Sequence, residues 1–220
     1  MLKADPRSIE PRWPVGLTIL AVLVLVTLLH DRVKLFPDWF HYLAGAIVLG
    51  AMLAVSLTNA QAKWRRAERV IVLLFVLVIE VGILVGLARL ISEIVSPTRA
   101  IDGLQLLTSS IAIWVNNILM FSLLYWQIDR NGPEARIDTG RIKPDWLFPQ
   151  VDDSEADPPI PWRPIFVDYL FLAFTTATAF SPTEALPITP RSKLMMMLES
   201  SISLTTVVVV AARAINILGS

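Results

Sequence analysis

From Val70 to Ser92 the chain runs for 23 residues with only two charges, Glu80 and Arg89. About 20 apolar residues in a helix cross the ~30 Å hydrocarbon layer of a bilayer, so this run is long enough to span one. Five further apolar runs follow the same plan, at 14–30, 39–58, 104–126, 165–181 and 194–218. Of the 220 residues, 55% are hydrophobic and 17% charged, and the mean hydropathy is +0.61. A soluble domain of this length needs more charge to cover its surface. The expected fold is an all-α integral membrane protein with six membrane-embedded segments, and the lipid bilayer is its first partner. The 19 basic and 19 acidic residues cancel, so no overall field selects nucleic acid and none is expected as a partner.

The basic residues set an orientation. Lys3, Arg7 and Arg12 precede the first segment, and Lys63, Arg65, Arg66 and Arg69 follow the second. Only Arg32 and Lys34 follow the first, and Arg99 the third. The positive-inside rule then puts the N-terminus in the cytoplasm. No A-x-A-like site follows the first segment, which runs on into Asp31, Arg32 and Lys34 and reads as an uncleaved signal-anchor helix. Three regions follow: 1–126 with four transmembrane helices, a polar loop over 127–164, and 165–220 with the fifth segment and a final transmembrane helix. The loop holds seven prolines and eight acidic against five basic residues, the composition of an extended, solvated tether or a partner-docking segment. Tyr125 and Trp126, at the end of the fourth segment, read as an interfacial aromatic pair.

Polar side chains at membrane depth are costly and therefore functional candidates. At about 100° per residue, Ser109, Asn116 and Gln127 fall on one stripe of the fourth segment, with Asn117 beside it. Glu199, Ser203, Thr206 and Arg213 share an arc of about 80° on the sixth. Two such stripes can line a hydrated path, or they can bond helices together as packing glue. In the third segment Arg89 and Glu93, four apart, can pair. Glu80 lies about 180° from Arg89 and must look to another helix or to water. Gly82 with Gly86, and Ala46 with Gly50 and Ala54, have the four-residue spacing of close helix contacts.

The chain has no cysteine and only two histidines, His30 and His41. That excludes disulfides, iron–sulfur clusters, thiolate zinc sites and most histidine metal sites. No phosphate loop, Ser–His–Asp set, HExxH or acidic metal cluster occurs. No cofactor, metal or catalytic residue is expected. A membrane-embedded enzyme would need Glu80, Asp168 and Glu199 to converge in one cavity.

The C-terminal quarter resembles the pore loop and inner helix of two-transmembrane potassium-channel-type pores. Thr175-Thr176 close a short aromatic helix, Pro187-Ile188-Thr189-Pro190 lead into the last helix, and Met197-Leu198-Glu199 and Ala212-Arg213 follow. The T-x-G-Y-G filter of those channels is absent. In its place stand Ala177-Thr178-Ala179-Phe180-Ser181-Pro182-Thr183-Glu184-Ala185-Leu186, with no glycine. What the resemblance implies is a re-entrant fifth segment and a pore, tetrameric if channel-like, without potassium selectivity. It would be weakly cation-preferring, with monovalent cations the candidate ions. Path-lining candidates are Asn116, Asn117, Asp168, Thr175, Thr176, Thr178, Ser181, Glu184, Glu199, Ser203 and Thr206. An outward-running fourth segment would suit such a loop, whereas the charge count runs it inward; a full crossing by 165–181 is the other topology. Over nearly its whole length the chain also resembles a family of small bacterial membrane proteins of unknown function, through Phe148-Pro149, Asp168-Tyr169, Phe174-Thr175 and Thr189-Pro190-Arg191. That likeness implies a bacterial inner membrane. The expected function is an ion-channel-like or small-solute pore. The alternative is a non-conducting scaffold or regulatory protein acting through 127–164.

Overall fold

A computed structural model describes residues 11–31, 33–57, 62–95, 103–133, 136, 143–152, 162–178 and 185–218. Six α-helices dominate: α1 (Trp13–Leu28), α2 (Asp38–Leu57), α3 (Ala62–Val95), α4 (Gly103–Ile128), α5 (Phe166–Ala177) and α6 (Pro190–Leu218). Four of them, α2, α3, α4 and α6, are long and apolar enough to cross a membrane, while α1 and α5 are shorter apolar helices. The chain thus has a multi-pass membrane architecture. Each of the six expected segments carries one of these helices, four of them of spanning length.

Local sequence explains the helix ends. α1 starts at Trp13-Pro14, where a proline costs no helical hydrogen bond, and the Thr18 hydroxyl bonds back to the Pro14 carbonyl at 3.0 Å. At the start of α5, Asp168 Oδ2 accepts the Ile165 N–H at 2.7 Å, satisfying a donor that the helix leaves open. α6 opens with Pro190, and Thr189 and Ser192 exchange backbone-to-hydroxyl bonds of 3.3 Å in the manner of a capping box. After α4 the chain turns through Arg130, Asn131 and Gly132, all at positive φ. The φ of 106° at Gly132 is one that L side chains resist.

α4 is the central helix. It packs on α1, α3, α5 and α6, and 67% of its span is buried, against 28–39% of the other three spans. α6 turns one polar face inward and a largely apolar face outward. Ser192, Glu199, Ser203 and Thr206 are fully buried, while Leu194, Met197, Leu204 and Val208 are exposed. In water that pattern would be inverted; in a bilayer the apolar side faces lipid.

One end of the bundle gathers the starts of α1, α3 and α6 and the end of α4. Arg12 holds the buried Glu68 at 2.8 and 3.1 Å, Arg69 donates to the Asn131 carbonyl at 2.8 Å, and Arg191 donates to the Ile128 carbonyl at 3.2 Å. At the other end, Ser109 accepts the His30 N–H at 3.1 Å and Arg89 donates to the Lys34 carbonyl at 2.5 Å. The start of α6 therefore lies beside the end of α4. Between them Trp146–Leu147 (β1) pairs antiparallel with Leu186–Pro187 (β2), so the chain before α5 touches the chain after it. At about 1.5 Å per residue, the 12 residues of α5 measure about 18 Å, short of the ~30 Å layer.

Around residues 146–148 the loop is packed rather than solvated, which corrects that part of the expected tether. Trp146 and Phe148 are buried, with Phe148 against Trp162 and Tyr169 at ring distances of 5.5 and 5.6 Å. Its aromatic side chains give the polar loop a reason to fold back on the bundle. The acidic run at 153–157 lies outside the described residues. The expected interfacial pair is corrected as well, since Tyr125 and Trp126 are wholly buried. The small-residue faces divide. A Cβ on Gly86 would meet Val33 Cγ1 at 3.0 Å and the Val33 carbonyl at 3.3 Å, whereas Gly50 and Gly82 have open space.

Candidate functional site

Two polar networks flank Trp146. The deeper one lies among α3, α4 and α6. Tyr125, on α4, donates its hydroxyl to Glu199 Oε2 on α6 at 2.5 Å. Asn117, two turns earlier on the same α4 face, donates to Ser203 Oγ at 2.9 Å and to the Glu199 carbonyl at 3.3 Å. Glu80 comes from α3, which packs against both α4 and α6. Both Glu80 carboxyl oxygens, Glu199 Oε1, the Asn117 carbonyl oxygen and both polar atoms of Asn116 are buried without a hydrogen-bond partner. Among the described residues no cation pairs with Glu80 or Glu199.

The second network lies where α4 ends and α6 begins, and it is closed. Asp129 accepts the Tyr169 hydroxyl at 2.5 Å and the Asp145 N–H at 2.7 Å. Arg136 donates to the Tyr169 hydroxyl at 2.7 Å and the Trp126 carbonyl at 3.1 Å, with its guanidinium 4.8 Å from the Tyr169 ring centroid. Asp145 takes both Nε and Nη2 of Arg191, a two-point ion pair, and the Thr189 hydroxyl at 2.6 Å. Ser192 donates to the Asp145 carbonyl at 3.1 Å. Bidentate arginine–carboxylate geometry is the strongest form of such a bond, and this one ties the loop to the first turn of α6.

Trp146 joins the two networks. Its ring lies 4.7 Å from that of Tyr125 and 6.4 Å from that of Tyr169, and its N–H donates to Met196 Sδ at 3.3 Å. It stands between the Glu199 cluster and the end of the bundle where α6 begins.

The sequence-derived candidates separate clearly. Asn117, Glu199 and Ser203 come together, and Asn116 is buried beside Asn117; Glu80 makes no hydrogen bond to them. Thr206 is buried on the same α6 face, its hydroxyl bonded to the Ile202 carbonyl at 2.8 Å. Asp168 serves the start of α5. Thr175 and Thr176 both donate to the Leu172 carbonyl, at 3.0 and 2.8 Å, and Thr178 donates to Phe174 at 2.8 Å. The α5 threonine hydroxyl protons are thus engaged within their own helix. Ser200 donates to the Thr176 carbonyl at 3.3 Å, which ties the end of α5 to the middle of α6. Ser181 and Glu184 lie outside the described residues, as do the side chains of Glu93 and Arg213. Arg89, expected to pair with Glu93, reaches the Lys34 carbonyl. Tyr125, Asp129, Arg136, Asp145 and Arg191 were not foreseen as site residues; the aromatic content of 146–169 was the available signal. Among the described residues no group of three metal-ligating side chains occurs.

No family model, curated protein or solved structure matches the chain.

Proposed function

We propose that the chain is a small ion-conducting membrane protein whose path runs inside the α4–α5–α6 half of each chain. The observation that carries this reading is two carboxyl groups buried at membrane depth: both oxygens of Glu80 lack a hydrogen-bond partner, and Glu199 is met by Tyr125 alone at one oxygen. Hydrocarbon tolerates such groups only where they pair or line a hydrated route. In this reading α5 is a re-entrant helix that dips to the level of Ser200, about 15 Å along α6 from Pro190, and returns through β2 to the face it left. That face is the cytoplasmic one, because Lys63, Arg66, Lys143 and Lys193 lie exposed at this end. An inward-running α4 then agrees with re-entrance, the loop entering from the cytoplasm. The membrane is the bacterial inner membrane, and the chain is expected to self-associate. A tetrameric pore would have to use surfaces other than the Glu199–Ser203–Thr206 face, which α6 turns into its own bundle.

The second reading, a non-conducting scaffold, draws on the complete burial of Asn116 and Glu199 within helix contacts. Liposomes of phosphatidylethanolamine and phosphatidylglycerol carrying the purified chain, under sodium, potassium or proton gradients, separate the two. Cation flux above that of empty liposomes supports the pore; its absence for all three ions leaves the scaffold. For topology, single cysteines at Lys143 and Ile188 in this cysteine-free chain are expected to react with an impermeant maleimide from the same side. Opposite sides would make α5 part of a full crossing.

A further inference from the structure

The turn that ends α4 collects guanidinium groups from α3, α6 and the turn itself. Arg191, on α6, donates to the Ile128 carbonyl at 3.2 Å. Arg69, on α3, donates to the Asn131 carbonyl at 2.8 Å and to its side-chain oxygen at 3.3 Å. Arg130 lies in the chain between those two carbonyls, at a φ of 49° that a residue with a side chain adopts at a cost. Its Nε is buried without a hydrogen-bond partner. Arg66 stands one turn before Arg69 on α3, and Lys63 one turn before that, close enough to be neighbours along the helix surface. Lys193 follows Arg191 in the first turn of α6. Lys63, Arg66 and Lys193 are exposed, and among the described residues no carboxylate pairs with them. The described acids tied into this end are already engaged, Glu68 by Arg12, Asp129 by Tyr169 and Asp145 by Arg191.

The surplus here is cationic, and guanidinium forks match phosphate oxygens. Arg191 spends Nε and Nη2 on Asp145 and Ile128; among the described residues its Nη1 has no partner, and its side chain is half exposed. Position in the membrane selects the phosphate. α3, α4 and α6 are of spanning length, and the cluster sits at one end of each. Trp64 lies one turn before Glu68 and Trp13 directly follows Arg12, so two exposed indoles flank the Arg12–Glu68 pair at the same end. Exposed tryptophans beside basic residues at the ends of apolar helices mark the headgroup layer. We propose that Arg69, Arg130 and Arg191, with Lys63, Arg66 and Lys193 around them, bind the headgroup phosphate of an anionic phospholipid. The cationic surplus repels the ammonium of a zwitterionic headgroup and so favours a net negative one, such as phosphatidylglycerol.

The test is thermal unfolding of the full-length chain in detergent micelles doped with equal mole fractions of phosphatidylglycerol or phosphatidylcholine, at low salt. Phosphatidylglycerol is expected to raise Tm by about 5 °C over phosphatidylcholine. Arg130→Gly suits the positive φ and so keeps the fold, and it should lose most of that rise. Arg66→Gln combined with Lys193→Gln, both at exposed positions, should do the same. Lys34→Met, at the opposite end of the bundle, should keep it. No difference between the two lipids overturns the site, as does a rise that survives both basic-end variants or one that Lys34→Met abolishes as well. Inorganic phosphate in undoped detergent is expected to leave Tm unchanged; a rise equal to that from phosphatidylglycerol would make the ligand a soluble phosphate and overturn the lipid assignment. These readouts are independent of flux, so the headgroup site and the conducting path stand or fall separately.

Discussion

The two networks on either side of Trp146 solve the same problem in opposite ways. At the bundle end, Asp129 and Asp145 each accept two or more bonds, and Arg136 and Arg191 stand against them. At membrane depth, Glu80 has no hydrogen-bond partner and Glu199 has one oxygen satisfied. A buried ion pair adds little net stability but is costly to break. An unpartnered buried carboxyl costs stability as it stands. The first network is therefore built to hold the loop on the helices, and the second is retained for something other than stability.

The largest effect should come from Asp145→Ala, which strands Arg191 and the Thr189 hydroxyl. A loss of about 3 kcal/mol is expected in chemical denaturation, and an unchanged midpoint would remove the latch role. Tyr169→Phe keeps the aromatic packing and deletes bonds to Asp129 and Arg136, for an expected loss of about 1–2 kcal/mol. Glu80→Leu should move the other way, raising stability by about 1 kcal/mol, since no partner is lost; a destabilised Glu80→Leu would break the contrast. Gly86→Ala should cost about 1 kcal/mol because Val33 must give way, whereas Gly82→Ala, in open space, should be neutral or slightly stabilising.

The smallest effect is a pH dependence at the opposite end. Burial works against the Lys34 ammonium, but its hydrogen bonds to Asp38 and Asp31 outweigh that and hold it above the ordinary lysine value of 10.5. A raised folded-state value means the contribution is complete below 10.5 and is lost as pH climbs through the higher folded value. Asp31 is almost fully exposed, so the loss should stay under about 1 kcal/mol. It should vanish in Lys34→Met, measured as Tm between neutral and strongly alkaline pH.

Helix positions and one site face were legible in the sequence because lipid simplifies the code. Apolar runs must be helical, and the polar arc of Glu199, Ser203 and Thr206 had to turn inward, as it does. Glu80 could be seen to need another helix because Arg89 lies on its far side. The bundle-end network was not legible. Asp129, Arg136 and Asp145 come from a proline-rich, acidic stretch whose composition matches a solvated loop, and only tertiary contacts distinguish Asp145 from its acidic neighbours. Tyr125 was misjudged for a related reason, since a tyrosine at a helix end suits an interface equally well. Residues whose spacing carried the second family likeness, Phe148, Tyr169, Thr189 and Arg191, meet around Asp145 and Trp146.

The contrast between the networks is tested most directly by cation flux per folded chain in Glu199→Gln and Tyr169→Phe, measured side by side in the same liposomes. The expected result is a flux reduced about tenfold, equivalent to ~1.4 kcal/mol, with unchanged stability for Glu199→Gln, and lowered stability with unchanged flux per folded chain for Tyr169→Phe. If flux and stability instead fall together in both variants, the deep cluster is structural like its neighbour, and the ion path through Glu199 is wrong.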